Sequence, residues 1–169
     1  MAFPEKLKQA DLFIDGRWVD EMTSVTLPKI GRKFEEFRGG GMNRAVKVDM
    51  GAEAMEAEWV VGGFVAALIG GFGATAIEGQ QLRFVATTQD DRTGAVHSWV
   101  AVIGGRHEEI DMGEFKSGED TEMKGKTAVA FYSLHRDGVE LVHIDVLGMV
   151  ERYGGVDIME AHRTALGRF

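Results

Sequence analysis

A chain of 169 residues without cysteine can form neither disulfides nor thiolate metal sites, and its length suits one domain with a core of its own. The formal net charge of −8 argues against a surface that coats nucleic acid, while leaving room for a path along which DNA slides without sticking. Glycine is abundant at 23 and proline scarce at 2, as in a sheet-rich domain with many tight turns, and the opening "MAFPEKLKQADLF" has no apolar run of signal-peptide length.

The first clear element is "DLFIDGRWVD", a hairpin about Asp15-Gly16, where both central positions need φ > 0. A two-residue turn there sets Phe13 opposite Trp18 and Leu12 opposite Val19. Next, "SVTLPKIGRKFEEFR", "AVKVDMG" and "MEAEWVV" read as strands, with a loop at "GGGMN". The stretch "FRGGGMNR" has the successive glycines and flanking arginines of an anion nest, but a flexible tip joining two strands is the simpler reading.

The run "WVVGGFVAALIGGFGATAI" (Trp59 to Ile77) carries no charge over roughly twenty residues, about the length needed to cross a bilayer. Glycine recurs throughout it, and Glu58 and Glu78 flank it where Lys or Arg would anchor a span. It reads instead as a buried strand end, a Gly-Gly break and a short core helix. Within it "GFGATA" (Gly71 to Ala76) fits the G-x-G-x-x-A variant of the dinucleotide fingerprint, with Asp90 or Asp91 near the acidic position. The helix required after it is interrupted by Gly79 and must end before "QLRFVATTQ", which is too short for a crossover. A small nucleotide-binding enzyme using Gly71–Ala76 is the alternative function.

"QLRFVATTQ" and "AVHSWVAVIGGRHEEI" read as strands about a loop at "DDRTG". The acidic "HEEIDMGEFKSGEDTE" lacks the ligand order of a calcium loop, and reads as a loop salt-bridged to Lys116, Lys124 and Lys126. "GEDTEMKGKT" ends in the last three letters of a P-loop. Yet Asp120 stands where the motif needs glycine, Glu119 and Glu122 would repel a polyphosphate, and "KTAVAFYSLHRDGVELVHIDV" continues as strand, Asp-Gly turn, strand. From Thr121 to Tyr132, Glu122, Lys124 and Lys126 point outward while Met123, Val129 and Phe131 point inward, a half-buried strand with a wet, charged face.

The turn at Asp137-Gly138 is expected to pair Phe131 with Ile144 and Val129 with Val146 on one face. Leu134 would meet Leu141 and Tyr132 would meet His143 on the other. Both faces would then be apolar, and one would need cover from outside the chain. His135 falls opposite Glu140 as an ion pair. The five histidines (His97, His107, His135, His143, His162) show no H-E-x-x-H spacing and no G-x-S-x-G occurs, so no catalytic, metal or cofactor site is expected. "VDIMEAHRTALG" reads as a terminal helix over 157–167, capped by Asp157, with Ile158, Ala161, His162, Ala165 and Leu166 on one face. The chain is thus a single, mainly β domain, 1–169, with two short helices. Open sheet edges are templates for another copy, a ring of copies removes them, and stacked rings yield a filament.

Several stretches carry a family resemblance: "SVTLPKIGRKFEEFRGGGMN", "VDMG", "EWVVGGF", "EIDMGEFKSGEDTEMK", "DGVELVHID" and "MVERYGGVD…AHRTALG". In order, from about Phe3 to Gly167, they resemble the major tail tube proteins of contractile-tailed, P2-like phages and related R-type pyocins. The resemblance implies a β-sandwich or barrel-like fold with a flanking helix and no enzymatic activity. Six copies would form a ring whose inner strands merge into one barrel, and rings would stack into the rigid tube of a virion tail or tailocin, built in the host bacterial cytoplasm. Implied partners are further copies of itself, the tail sheath protein, the baseplate or tube initiator, the tail terminator and the tape measure protein. DNA would be a passing, non-specific cargo, with no stable membrane insertion. In that frame Arg38, Gly39, Gly40, Gly41, Met42, Asn43 and Arg44 are expected to form a hairpin tip inserted into the adjacent ring. Glu56, Glu58, Glu122, Lys124 and Lys126 are expected to face the bore, where net acidity would let DNA move with little binding.

Overall fold

Both Asp-Gly turns form as their backbone chemistry requires. Asp15 and Gly16 have φ of 47° and 83°, and Asp137 and Gly138 have φ of 49° and 79°, the left-handed pair of a tight hairpin. The structure is a computed structural model that describes residues 3–168. The first turn joins β1 (Lys6–Ile14) to β2 (Arg17–Val19) with Phe13 opposite Trp18 and Leu12 opposite Val19, as the turn length dictates. Then come β3 (Met22–Thr26), β4 (Arg32–Phe37), β5 (Val46–Ala52) and β6 (Met55–Val61), the helix α1 (Ala66–Gly71), and β7 (Gln80–Gln89). Two long strands, β8 (Val96–Asp111) and β9 (Met123–Arg136), precede β10 (Val139–Asp145), β11 (Val150–Tyr153), β12 (Val156–Asp157) and the helix α2 (Glu160–Ala165).

The main sheet is antiparallel, in the order β12-β11-β10-β9-β8-β7-β1-β2. The ribbon of β8 and β9 serves two sheets at once. Residues 131–136 of β9 pair with β10 on one side and with the first part of β8 on the other. Residues 123–129 pair instead with β6, and β6 pairs with β3. Register shifts in β8 at Gly104/Gly105 and at His107/Glu109 mark where the ribbon is re-aimed. Gly105 is needed at the first, because a Cβ there would lie 2.0 Å from the Ala128 carbonyl oxygen. The result is a second sheet, β3-β6-β9-β8, built on the ribbon's far half. Leu12, Ile14, Trp59, Val61, Leu68, Leu82, Phe84, Ile103, Met123 and Tyr132, drawn from both sheets and α1, share one buried cluster.

Three expectations change. In the β9–β10 hairpin a bulge between Glu140 and Val142 slips the register by one, so Ile144 faces Tyr132 and Val142 faces Leu134. A one-residue slip exchanges the faces of a strand. Tyr132, Leu134, Val142 and Ile144 therefore gather on the core side, and Ser133, His135, Glu140 and His143 occupy the other together with Phe131, which was expected to point inward and instead meets His143 edge-on. His135 does lie opposite Glu140, with Nε2 4.0 Å from the carboxylate. Val139 beside the turn stays exposed, and more extensive uncovered apolar surface lies elsewhere.

The second change concerns the C-terminal helix. It begins at Glu160 behind Met159, no side chain caps it, and none of its residues is buried, so the Ile158–Leu166 stripe faces away from the core. Asp157 belongs to β12, where it accepts the Met159 N–H at 2.9 Å and pairs with Arg163 at 2.7 Å. These contacts with Arg163 and the backbone hold its carboxyl at about 2.

Third, nothing helical follows Gly71–Ala76. The segment closes α1 in turns and runs directly into β7, so the glycines cradle no phosphate at a helix start. The run around it is a strand end, a Gly-Gly break and a helix with Leu68 buried, as expected. Among the described residues no helix is long and apolar enough to cross a membrane.

Candidate assembly surfaces

The letters Gly125-Lys126-Thr127 lie mid-strand in β9, and each has a structural task. Trp59 packs over Gly125, where a Cβ would sit 2.0 Å from the indole ring. Thr127 is fully buried. Its hydroxyl oxygen accepts the Trp59 indole N–H at 3.1 Å and lies 2.8 Å from His107 Nδ1. Trp59, Thr127 and His107 thereby join β6, β9 and β8. Burial lowers the His107 pKa below the ordinary imidazole value, so the ring is neutral in the core. Lys126 points to the opposite face and meets Glu56 at 2.8 Å.

That opposite face is the first surface. Glu58 on β6 lies beside Lys126 on β9, which lies beside Glu109 on β8, and the next row runs Val60, Lys124, Asp111. Glu56, Glu58, Lys124 and Lys126, four of the five residues expected to face a bore, thus share one solvated face. Glu122 lies just before β9, 3.9 Å from Lys124. Glu109 and Asp111 were missed from sequence. The bulge that extrudes Glu108 shifts the β8 alternation by one, so their phase could not be read from period alone. Carboxylates outnumber ammonium groups, and the face is net acidic.

The second surface is a pair of unpaired strand edges. Among the described residues β3 pairs only with β6, and β7 leaves β8 at Gly105, so the outer edge of Arg106–Asp111 bonds to no strand. These two free edges bound the same four-stranded sheet on opposite sides.

The third is an arm. β4 and β5 form a ribbon of their own, every residue of which is exposed, including Phe34, Phe37, Val46, Val48 and Met50. Its root is tied by Arg32 to Asp49 at 2.6 Å, and the Gly51 N–H together with Arg32 holds the Asp49 carboxyl below its ordinary pKa. The seven expected tip residues, Arg38 to Arg44, do form the turn at its end. The turn is closed by Met42 N–H to the Gly39 carbonyl at 3.2 Å and by Arg38 Nε to the Met42 carbonyl at 2.9 Å. A lone two-stranded ribbon is marginal in water. Apolar side chains on both its strands call for cover by another molecule. Among the described residues no cluster of histidines and carboxylates could hold a metal ion, and the acidic loop is closed instead by Lys116 on Glu119 at 2.7 Å.

Comparison with known proteins gives one consistent picture. The family model for phage tail tube protein FII matches residues 4–167. The tail tube protein of Escherichia phage P2 is 42% identical, over 99% of this chain and 99% of that protein. The major tail tube protein of Serratia phage KSP20 is 38% identical, over 94% of this chain and 92% of the relative. Two solved structures share the fold at low identity. The tube-terminating cap of the anti-feeding prophage has a TM-score of 0.61 at 14% identity, covering 80% of this chain and 93% of its own. A chain from the PVC sheath–tube complex of an extracellular contractile injection system, in the extended state, has a TM-score of 0.59 at 11% identity, covering 79% and 92%.

Proposed function

The chain belongs to the phage tail tube family, a structural and non-enzymatic family of contractile tails, and from that premise we propose how this chain builds its tube. Six copies close into a ring by joining the β3 edge of one copy to the Arg106–Asp111 edge of the next. The β3-β6-β9-β8 sheets then merge into one barrel with no open edge. The observation that carries this is the pair of unpaired edges on opposite sides of one sheet. Ring closure satisfies both sets of backbone groups, and the alternative is an exposed template for aggregation.

In that barrel the Trp59–Thr127–His107 side faces the subunit core, and the face bearing Glu56, Glu58, Lys124, Lys126, Glu109 and Asp111 faces the bore, with Glu122 at its rim. Excess carboxylate repels phosphate within about 8 Å at physiological salt, so DNA passes without adhering. Rings stack through the arm, whose Arg38–Arg44 tip enters the adjacent ring. A sheath protein surrounds the tube, a baseplate initiator starts it, a terminator ends it, and a tape measure protein occupies its bore during assembly in the bacterial cytoplasm. The likeness to a tube-terminating cap and to a sheath–tube chain supports the terminator and the sheath among these partners.

Negative-stain microscopy of the concentrated pure protein tests the reading. Hollow tubes or rings are expected, and lone particles at every concentration would overturn it. The bore placement has its own test. An amine reagent too large to enter intact tubes is expected to spare Lys124 and Lys126 in tubes while labelling them in free subunits. Equal labelling in the two states would reject it.

A further inference from the structure

Beside the root of the arm lies an open groove of about 680 Å³, within the roughly 300–1,000 Å³ of clefts that enclose ligand-sized groups. Its walls are apolar: Ile30 and Met55 from the arm root and β6, and Val146, Leu147 and Val150 from the β10–β11 turn. Ile30, Val146 and Leu147 are 46%, 55% and 56% exposed, so nothing in the subunit fills it. Three carboxylates stand around it, Glu53, Asp145 and Glu151.

The arm tip has the opposite character. Phe37 and Met42 lie about Gly39, whose Cβ position is 3.6 and 3.5 Å from their side chains. Arg38 and Arg44 flank the turn that carries them, whereas Lys47 lies opposite Glu36 on the other face of the ribbon. The tip cannot reach its own groove. The groove sits at the root, and six residues of β4 at roughly 3.3 Å each put the tip about 20 Å away.

We propose that this groove is the seat for the arm tip of a second copy in the next ring. Phe37 and Met42 of the incoming tip fill the apolar floor, and Arg38 and Arg44 meet the carboxylates Glu53, Asp145 and Glu151. Complementary charge sets the register of the two rings, and the apolar contact supplies the affinity. The assignment rests on the stacked-ring reading above and names the surface on which stacking occurs.

Because the chain has no cysteine, a designed pair reports the contact directly. Oxidised tubes of the double variant Met42→Cys with Leu147→Cys are expected to run as a ladder of linked subunits on a non-reducing gel. The control pair Met42→Cys with Val96→Cys, placed at the far end of β8, is expected to run as monomer. Tubes with no ladder above the control would overturn the groove. So would tubes in which the Leu147→Cys thiol is shielded from a bulky maleimide yet unlinked, since another surface then covers it. Both outcomes leave the tube itself standing, whereas failure of the unmodified protein to form tubes sinks both readings. Should the double variant not assemble, charge exchange decides: Arg44→Glu stops elongation, and adding Glu53→Arg restores it if the groove is the seat. No restoration overturns the proposal.

Discussion

The β6–β9–β8 junction and the β4–β5 arm are both antiparallel sheet, and they are built for different states of the molecule. At the junction each polar group of the Trp59–Thr127 pair is satisfied inside the subunit, and Gly125 leaves the space that the indole fills. On the arm Phe34, Phe37, Val46, Val48 and Met50 face water, and the root is braced by the Arg32–Asp49 ion pair and the Glu53 N–H to the Gly31 carbonyl. The contrast separates folding from assembly. The junction stabilises one subunit, while in the proposed stacking the arm's apolar residues add stability only once another copy covers them.

The largest effect expected on the folded subunit is at the junction. Trp59→Ala removes a side chain that is 1% exposed and should cost about 3–5 kcal/mol, read as a lower denaturation midpoint. A loss below 1 kcal/mol would mean the junction is not the core it resembles. Next, Thr127→Val keeps the shape but strands the Trp59 indole N–H and the His107 ring, at a cost of roughly 1–3 kcal/mol by urea titration.

Acid should act on the same place. The His107 pKa is lower folded than unfolded, so below pH 6.5 the unfolded chain binds the extra proton. The resulting stability is full above 6.5 and is lost as the pH falls through the folded value, with a slope of at most about 1.4 kcal/mol per pH unit. His107→Phe should flatten that part of the profile, and an unchanged slope would assign it to other groups.

The smallest effect on folding, with the largest on assembly, is expected from Gly40→Val. A Cβ at Gly40 meets nothing within 4 Å and its φ is not left-handed, so subunit stability should move by no more than about 0.5 kcal/mol. Tube polymerisation should nevertheless stop. Tubes of normal length from this variant would erase the distinction between the two regions.

Much of the fold was legible because it is local. Asp15-Gly16 sets the β1–β2 register through its own dihedrals, and period two identified Lys124 and Lys126 as one face of β9. The candidate surfaces were half legible. The tip glycines and the charged alternation of β6 and β9 could be read, but Glu109 and Asp111 were hidden by the Glu108 bulge. The Leu141 bulge likewise moved every expected β9–β10 pair beyond Glu140 by one. Bulges are set by what each strand must meet across the sheet, which no window of neighbouring residues contains.

Turn type, strand identity, net acidity and the absence of thiol chemistry were therefore determined by the sequence alone, since each depends on residues adjacent in the chain or on their totals. The division of one ribbon between two sheets, the two free edges that division leaves, and the meeting of Trp59 with Thr127, 68 positions apart, were decided only in the tertiary structure. Those features follow from close packing around the Gly105 and Gly125 contacts, and packing exists only after distant segments have come together.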